Sequence, residues 1–241
     1  MSRVEEQKCF NLIRDALNAK ENIDVVYDNS NGAVRDFFNI AKSNPSENDY
    51  PDFVFENGGI EHFQLTSSKE NKKGSDFKRE ETRKEKDKKE YLEKLNKEYL
   101  KTEFVPGTFT SEVYEDVYES FSYEDFLKSL EKNIHSHVNS LNKSNYKKAI
   151  NIFLMEQQTA RLWIDEGVVP IKFYQLYKDK RALNIIKSFC SNIRYIVYFV
   201  CDAIEIIDLS KIDLLIEHSK EYNNVKGGRL IKSQINLFID W

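Results

Sequence analysis

The feature that most constrains this chain is a pair of β-rich segments, residues 52–56 and 60–66, joined by Asn57-Gly58-Gly59. Asn-Gly between two such segments is the strongest short-range signal for a β-hairpin. Each predicted strand carries one carboxylate among bulky apolar neighbours, Asp52 on the first and Glu61 on the second. A carboxylate in such surroundings is unfavourable unless a cation, a metal ion or a set of hydrogen bonds compensates it.

The turn decides which side chains share a face of the hairpin. With a two-residue turn centred on Asn57-Gly58, Asp52 faces Phe63 and Val54 faces Glu61. Because side chains alternate along a strand, Asp52 and Glu61 then lie on one face as diagonal neighbours, about 7–8 Å apart at the backbone. The sequence thus predicts that the two carboxylates converge on one ion.

A three-residue loop is the alternative, since it reverses the alternation of side chains. Asp52 would then share its face with His62 and Gln64. In that arrangement His62, the neighbour of Glu61, could act as a general base. The sequence leaves both arrangements open.

Two carboxylates that converge from adjacent strands repel each other unless a cation lies between them. Ligation by oxygen alone suits Mg²⁺ or Mn²⁺. An ion held by few protein ligands keeps positions for a phosphate oxygen and for a water that it helps to deprotonate. The simpler alternative is that both acids lie on the solvated face of an ordinary antiparallel hairpin.

A helix is predicted before the hairpin in residues 2–20, where Phe10, Ile13 and Leu17 recur at helical spacing. Continuing this apolar stripe by four residues towards the N-terminus reaches Glu6. We therefore expect one acid at the edge of the helix face that packs inward. The alternative role of Glu6 is to complement the helix dipole.

The remaining periodicity alternates between helix and strand. Helices are predicted at residues 33–42, 123–141, 182–191 and 210–222, and strands at residues 23–27 and 148–155. Residues 194–209 fit two strands or one helix, residues 230–240 fit a strand or a helix, and a densely charged helix is predicted at about 75–101. This pattern indicates an α/β or α+β protein with a central mixed β-sheet flanked by helices. We expect a single domain over residues 1–241, with the charged helix as an insertion.

Composition favours an intracellular protein. The chain is 40% hydrophobic and 32% charged, no apolar run approaches the length of a membrane span, and the N-terminus carries charges where a secretory signal needs an apolar core. Cys9, Cys190 and Cys201 cannot all pair, so we expect them to be reduced and mostly buried. The expected location is cytoplasmic, without a membrane partner.

Pro51-Asp52 on one strand, with Glu61 nine residues later on the next, resembles the core of the PD-(D/E)xK nuclease superfamily, which includes many restriction endonucleases. The resemblance covers roughly residues 2–78 and extends to the strand at 148–155. In that family a helix that often supplies an acid is followed by a strand, a hairpin bearing Asp and Glu, a helix and a further strand. Glu6, Asp52 and Glu61 match the family's acids in that order, so the resemblance implies a restriction-endonuclease-like core.

The lysine of the family motif lies two residues after the second acid, and that position is Phe63 here. Members of the superfamily can replace this lysine with Gln or Glu, or recruit one from another segment. The candidates in this chain are Gln64, which is one residue out of phase, and the later residues Lys69, Lys72 and Lys73. Lys73 is the preferred candidate.

The resemblance implies a metal-dependent endonuclease that hydrolyses phosphodiester bonds, with DNA as the expected substrate and a restriction or defence role. Asp52, Glu61 and Glu6 would hold Mg²⁺ or Mn²⁺, and Lys73 would stabilise charge on the phosphate. Restriction enzymes are frequently dimers, so a homodimer is a further expectation. Phe63 in the lysine position favours the alternative, a non-catalytic module with a nuclease-like body that binds a nucleic acid or a protein.

A basic segment after the hairpin is the candidate for contacts with nucleic acid. It contains Lys69, Lys72, Lys73, Lys78 and Arg79. Lysine, arginine and backbone N–H groups supply many of the contacts that proteins make with phosphates. The net charge of −4 argues against polyanion binding by the whole surface, but it is compatible with a local basic patch. The alternative is a solvated loop that leads into the charged helix.

The other motifs narrow the function further. His135 and His137 are two residues apart on a predicted helix and point in different directions, so we expect surface or capping roles for them. The chain has no P-loop, GxGxxG or GxSxG motif. These absences argue against the common nucleotide hydrolases, dinucleotide oxidoreductases and serine hydrolases.

Overall fold

A computed structural model describes residues 3–19, 23–25, 30–46, 50–67, 75–99, 111–117, 121–144, 149–157, 161–165, 172–189, 191–200 and 203–234. The protein has an α+β fold, in which a seven-stranded mixed β-sheet is flanked by helices and accompanied by a four-stranded sheet. The α+β class and the mixed sheet predicted from the sequence are confirmed. Within the described ranges, no helix is both long enough and apolar enough to cross a membrane.

The helices and strands are numbered in chain order. The helices are α1 Arg3–Ala19, α2 Ser30–Ile40, α3 Ser75–Tyr99, α4 Tyr123–Lys143, α5 Lys180–Phe189 and α6 Ile212–His218, with 3₁₀ turns at Leu176–Lys178 and Leu209–Lys211. The strands are β1 Ile23–Val25, β2 Lys42–Ser43, β3 Phe53–Phe55, β4 Gly58–Leu65, β5 Ser111–Val117, β6 Ile150–Gln157, β7 Arg161–Ile164, β8 Lys172–Phe173, β9 Tyr195–Val200, β10 Ala203–Asp208 and β11 Val225–Gln234.

The large sheet has the strand order β1-β10-β9-β6-β4-β3-β2. Strand β6 runs parallel to both β4 and β9, whereas β2, β3 and β4 form an antiparallel meander. Two parallel neighbours need a crossover connection, and α4 lies in the connection between β4 and β6. The predicted hairpin is therefore joined to the centre of the sheet through β4.

Each face of the large sheet buries a separate hydrophobic core. On β6, Ile152 and Leu154 belong to one core while Phe153 and Met155 belong to the other, and all four side chains are fully buried. Helices α1 and α2 cover the first face, and α4 and α5 cover the second. We call these the α1 face and the α4 face. A strand buried on both sides reads as a continuous apolar run, which explains why β6 could be predicted from the sequence.

The β3–β4 hairpin has a different register from the predicted one. Phe53 pairs with Ile60 and Phe55 with Gly58, so the two-residue turn is Glu56-Asn57. The predicted turn was centred one residue later along the chain. The loop nevertheless has two residues, as predicted, and the three-residue alternative is wrong.

The predicted pairings of Asp52 with Phe63 and of Val54 with Glu61 are consequently wrong. Val54 pairs with Gly59 instead. Moving the turn by one residue moves each opposed partner by two, so the alternation of side chains is unchanged. Asp52 therefore still shares its side of the hairpin with Glu61.

Close packing explains why Gly58 and Gly59 belong to β4 rather than to the turn. A Cβ atom on Gly58 would lie 2.2 Å from the carbonyl oxygen of Ile150 on β6, and one on Gly59 would lie 2.3 Å from Cγ of Pro51. These separations are far below van der Waals contact. The glycines are thus needed for the approach of neighbouring chain segments, whereas the sequence analysis assigned Gly58 to the turn.

The small sheet was not predicted from the sequence. It is antiparallel, with the order β5-β11-β7-β8. Strands β7 and β8 have only four and two residues, which is too short for a period-two pattern to be recognised. Where the sequence left strand and helix open, the structure has strands: β9 and β10 in residues 194–209, and β11 near the C-terminus.

The last helix is shorter than predicted. After the 3₁₀ turn at Leu209–Lys211, α6 ends at His218 instead of continuing to Tyr222. Tyr222 is buried, and its ring centroid lies 5.6 Å from that of Tyr174. Packing of Tyr222 and the backbone hydrogen bonds of Lys220 with Lys178 and Lys180 therefore hold the chain after α6.

Candidate functional site

Asp52 and Glu61 lie opposite each other on the hairpin. Asp52 directly precedes β3, and extending the observed register by one residue places it across from Glu61 on β4. Its Oδ2 atom accepts a hydrogen bond of 2.7 Å from the backbone N–H of His62. Opposed side chains of antiparallel strands have Cβ atoms about 4.5–5.5 Å apart. The two carboxylates predicted from the sequence thus share one side of the hairpin, and they interact electrostatically.

The electrostatic environment of Asp52 also includes Glu6 on α1. Burial raises the pKa of Asp52 from its ordinary 3.8 to about 7, and the charge on Glu61 adds to this effect. The hydrogen bond from His62 acts in the opposite direction, and the charge on Glu6 raises the pKa further. The charges of Glu6 and Glu61 therefore both act on Asp52, and a cation among these acids would relieve the repulsion.

A shallow surface cleft opens beside Glu6 and Asp52. Glu6 and Asp52 line the cleft together with Arg3 and Asn44. The guanidinium of Arg3 donates a hydrogen bond to the backbone carbonyl oxygen of Asn44. Arg3 was not predicted as a site residue, because its place beside Asp52 depends on how α1 packs against the segment before β3. The cleft thus combines two carboxylates with one cation.

Glu61 contacts a histidine for which the sequence predicted a surface or capping role. Nδ1 of His137, on α4, lies 2.7 Å from Oε1 of Glu61, and only 8% of Glu61 is exposed. The expectation that His137 has a surface or capping role is therefore wrong. His135, its neighbour on the helix, is exposed as expected.

The position of His137 could have been recognised from the helical periodicity. Leu130, Ile134 and Leu141 form the buried stripe of α4, and all three pack in the core of the α4 face. His137 lies three residues after Ile134 and four before Leu141, so it continues the same stripe. A polar residue within an apolar stripe points to a buried polar partner, and Glu61 is that partner.

Phe63 occupies the position that the resemblance gives to a lysine. Its side chain is only 3% exposed and packs in the core of the α4 face. The rings of Phe63 and His137 are stacked, with centroids 4.3 Å apart and an interplanar angle of 12°. The position two residues after Glu61 therefore supplies an aromatic surface for His137 and no positive charge of its own.

Of the predicted substitutes for that lysine, only Gln64 lies in the described part of the structure, and its side chain points away from Glu61. Gln64 extends to the α1 face, where its Nε2 lies 3.4 Å from Oε2 of Glu156. Lys69, Lys72 and Lys73 lie outside the described residues. Lys78 and Arg79 belong to α3, but their side chains also lie outside the described part of the structure.

His62 points away from the Asp52 and Glu61 pair, although it is adjacent to Glu61. Its Nε2 lies 3.0 Å from Oε2 of Glu156 on β6, and the residue is 4% exposed. The alternative in which Asp52 shares a face with His62 and Gln64 is therefore wrong. The backbone N–H of His62 donates directly to Asp52, and the charge of the His62 side chain also lowers the pKa of Asp52.

The donor set around Asp52 fits a hard divalent cation. Asp52, Glu61 and Glu6 offer carboxylate oxygens only, which are the ligands that Mg²⁺ and Mn²⁺ prefer. His137 bonds to Oε1 of Glu61, so Oε2 of that carboxylate is the oxygen on which an ion would depend. Such support from a histidine fixes the orientation of a ligating carboxylate.

Comparison with known proteins gave no relative for this chain. No protein-family model, no curated protein and no solved structure matches it.

Proposed function

We propose that this protein is a Mg²⁺- or Mn²⁺-dependent nuclease that hydrolyses phosphodiester bonds of nucleic acid, DNA in the first place. The observation that carries the proposal is the juxtaposition of Asp52 with Glu61 across the hairpin, with Glu6 in the same electrostatic environment. Glu6 and Asp52 line the cleft, and the charge on Glu61 also acts on Asp52, so a divalent cation would relieve the repulsion among these acids. A divalent cation is a common catalyst of phosphodiester hydrolysis.

The order of elements around the site supports the same function. Helix α1 carries Glu6 and is followed by β1, α2 and β2, and the β3–β4 hairpin then carries Asp52 and Glu61. Elements α3, β5 and α4 precede β6, which pairs in parallel with β4. The helix, hairpin, helix and strand that the resemblance to the PD-(D/E)xK superfamily implies occur in this order, with further elements between them.

The residues of this chain would have separate roles. Asp52 and Glu61 would hold the ion, and Glu6 would complete its shell or orient a water. When bound, the ion would polarise a phosphate oxygen and lower the pKa of a water. His137 would keep the Glu61 carboxylate in a fixed orientation, and Arg3 would bring positive charge to a phosphate in the cleft.

Two parts of the proposal depend on side chains that lie outside the described part of the structure. Lys73 remains the preferred substitute for the motif lysine, and the basic segment from Lys69 to Arg79 remains the expected contact with the DNA backbone. A restriction or defence role, a cytoplasmic location and a homodimer belong to the same proposal.

The decisive experiment is a cleavage assay on supercoiled plasmid with Mg²⁺ or Mn²⁺. D52N and E61Q should abolish cleavage while the circular dichroism spectrum stays unchanged. D36N is the matched control, because Asp36 is an exposed acid on α2 that pairs only with the adjacent Arg35 among the described contacts. Cleavage by D52N at the rate of D36N would remove Asp52 from the mechanism.

A second candidate function is a non-catalytic module that binds nucleic acid or protein. The burial of Phe63 in the lysine position favours it, because no motif cation reaches the acids from β4. Thermal unfolding with and without Mn²⁺ separates the two functions, since a ligand that binds only the folded state raises the midpoint. DNA binding without a Mn²⁺-dependent midpoint shift and without cleavage would support the binding module.

A further inference from the structure

A second group of potential metal ligands lies on the α1 face of the sheet, away from Glu61. Cys9 of α1, His62 of β4 and Glu156 of β6 each offer one ligand atom, and these atoms all lie within 4.8 Å of one another. Cys9 is 7% and His62 4% exposed, and the side chain of Glu156 is 14% exposed. Residues from three separate elements thus converge at one nearly buried point.

The fold explains why these side chains meet. Strands β4 and β6 are parallel with Gln64 opposite Glu156, so Glu156 and His62 both point to the α1 face. Helix α1 packs on that face through Phe10, Ile13 and Leu17, and Cys9 lies beside Phe10 in the same core. The core around them is largely apolar, and the amide of Gln64 is a further polar neighbour, 3.4 Å from Oε2 of Glu156.

The hydrogen bonding of the group leaves one polar atom unused. The carboxylate of Glu156 contacts Nε2 of His62 at 3.0 Å and accepts a hydrogen bond from the thiol of Cys9. Nδ1 of His62, however, is buried and has no hydrogen-bond partner among the described residues. A buried polar atom without a partner is unfavourable, so this imidazole is better suited to a ligand than to hydrogen bonding alone.

We propose that Cys9, His62 and Glu156 form a binding site for a transition-metal ion of the Zn²⁺ type. Sulfur, imidazole nitrogen and carboxylate oxygen are the three ligand types that Zn²⁺ binds, at about 2.3, 2.0–2.1 and 2.0–2.2 Å. Ligand atoms of a tetrahedral ion with such bonds are about 3.3–3.7 Å apart, so the observed group needs only small side-chain movements. The fourth position would be left to a water.

The site would fasten α1 to the centre of the sheet. Cys9 lies one helical turn after Glu6, and His62 is the residue after Glu61. An ion held by both would fix the helix that carries Glu6 against the strand that carries Glu61. The proposal does not rest on the proposed nuclease activity, because the sulfur-containing group faces the opposite side of the sheet from Glu61.

Co²⁺ is the probe that distinguishes the two sites. A thiolate bound to Co²⁺ gives a charge-transfer absorption in the near ultraviolet, which ligation by carboxylate oxygens alone does not give. The whole protein, stripped of metal with a chelator and kept reduced with a phosphine, should develop this band with one Co²⁺ per chain. Zn²⁺ should then displace Co²⁺ and abolish the band.

Variants assign the band to its ligands. C9S should lose the band, and E156Q should bind Co²⁺ about 10-fold more weakly or worse. D36N should keep the band in full, since Asp36 is an exposed acid on α2 that pairs with Arg35. The absence of the band in folded wild-type protein, or its persistence in C9S, would overturn the proposal. If C9S fails to fold, E156Q is the test, because a Co²⁺ affinity of E156Q equal to that of the wild type would also overturn the proposal.

Discussion

His137 and Glu61 are joined by a contact of 2.7 Å between Nδ1 and Oε1, although 76 residues separate them in the chain. The contact connects α4 to β4, and the ring of His137 is stacked on Phe63 at the same time. A carboxylate that is 8% exposed keeps a polar partner through this arrangement. The orientation of a proposed metal ligand therefore depends on a helix that comes much later in the sequence.

Removing the imidazole should destabilise the fold. H137A leaves Glu61 buried without this partner and removes the ring that covers Phe63, so the free energy of unfolding should fall by about 1–3 kcal/mol. Urea unfolding followed by circular dichroism measures the change. H135A is the comparison, because His135 is exposed on the same helix and contacts only the edge-on ring of Phe189 and Asn139 among the described residues, so its loss should cost less. Equal stability of the two variants would show that the contact with Glu61 contributes nothing.

The raised pKa of Asp52 makes the stability of the metal-free protein depend on pH. Its ordinary pKa is 3.8 and its pKa in the fold is about 7. Between these values the folded state keeps a proton that the unfolded state has lost, so the free energy of unfolding falls as the pH rises from 4 to 7. D52N removes this contribution. It should be more stable than the wild type by about 2–4 kcal/mol at pH 8, and equally stable at pH 4.

Urea unfolding in the presence of a chelator at the two pH values tests this relationship. A difference between D52N and the wild type that is the same at pH 4 and pH 8 would contradict it. D36N serves again as control, since the exposed carboxylate of Asp36 should give no such pH dependence.

Binding of Mn²⁺ at the acidic cleft should follow the same titration. Because Asp52 holds a proton below pH 7, an ion must displace it there, and the apparent affinity should fall about 10-fold for each pH unit below 7. Thermal midpoints at several Mn²⁺ concentrations, measured at pH 6 and pH 8, give the two affinities. A Mn²⁺ affinity that is independent of pH would place the ion elsewhere.

Gly58 should not tolerate a side chain. In G58A the new Cβ would lie 2.2 Å from the carbonyl oxygen of Ile150 and 2.3 Å from the ring of Phe55, so strands β4 and β6 would have to move apart. The expected loss of unfolding free energy is about 1–3 kcal/mol. G32A is the opposite control. Gly32 lies in α2 with no atom near its missing Cβ, so alanine should stabilise the helix by about 0.5–1 kcal/mol.

Local periodicity was sufficient to predict much of the fold. The apolar stripe of α1, the continuous apolar run of β6 and the amphipathic pattern of α4 all lie where the sequence placed them. These elements are buried through many successive residues, so each leaves a long pattern. The shortest strands of the small sheet, β7 and β8, are too short to give a recognisable pattern, and β7 pairs with the distant strand β11.

The candidate site was predictable only where it depends on local geometry. The shared face of Asp52 and Glu61 follows from a two-residue turn. The predicted register was wrong, but the face stayed the same because moving the turn by one residue moves each opposed partner by two. The roles of Arg3 and His137 depend on how α1 and α4 pack against the sheet. The position of His137 in the apolar stripe of α4 could be recognised from the sequence, whereas no local pattern pointed to Arg3.

Asp179 provides a test of the core on the α4 face, since it is fully buried at the start of α5. Its Oδ2 accepts hydrogen bonds of 2.7 Å from the hydroxyls of Tyr123 and Tyr174, and its Oδ1 accepts from the backbone N–H groups of Arg181 and Ala182. One carboxylate therefore caps a helix and satisfies two buried hydroxyls. D179A should lower the free energy of unfolding by about 3–5 kcal/mol, because four donors lose their acceptor at once.

Tyr123→Phe provides the comparison that separates this network from a simple cap. It removes one donor and leaves the carboxylate with three, so the loss should be only about 0.5–1.5 kcal/mol in urea unfolding. In the double variant D179A/Y123F the second substitution should cost less than it does alone, because the hydroxyl it removes has already lost its acceptor. Strictly additive losses would mean that Tyr123 and Asp179 stabilise the protein independently, and the shared network would be rejected.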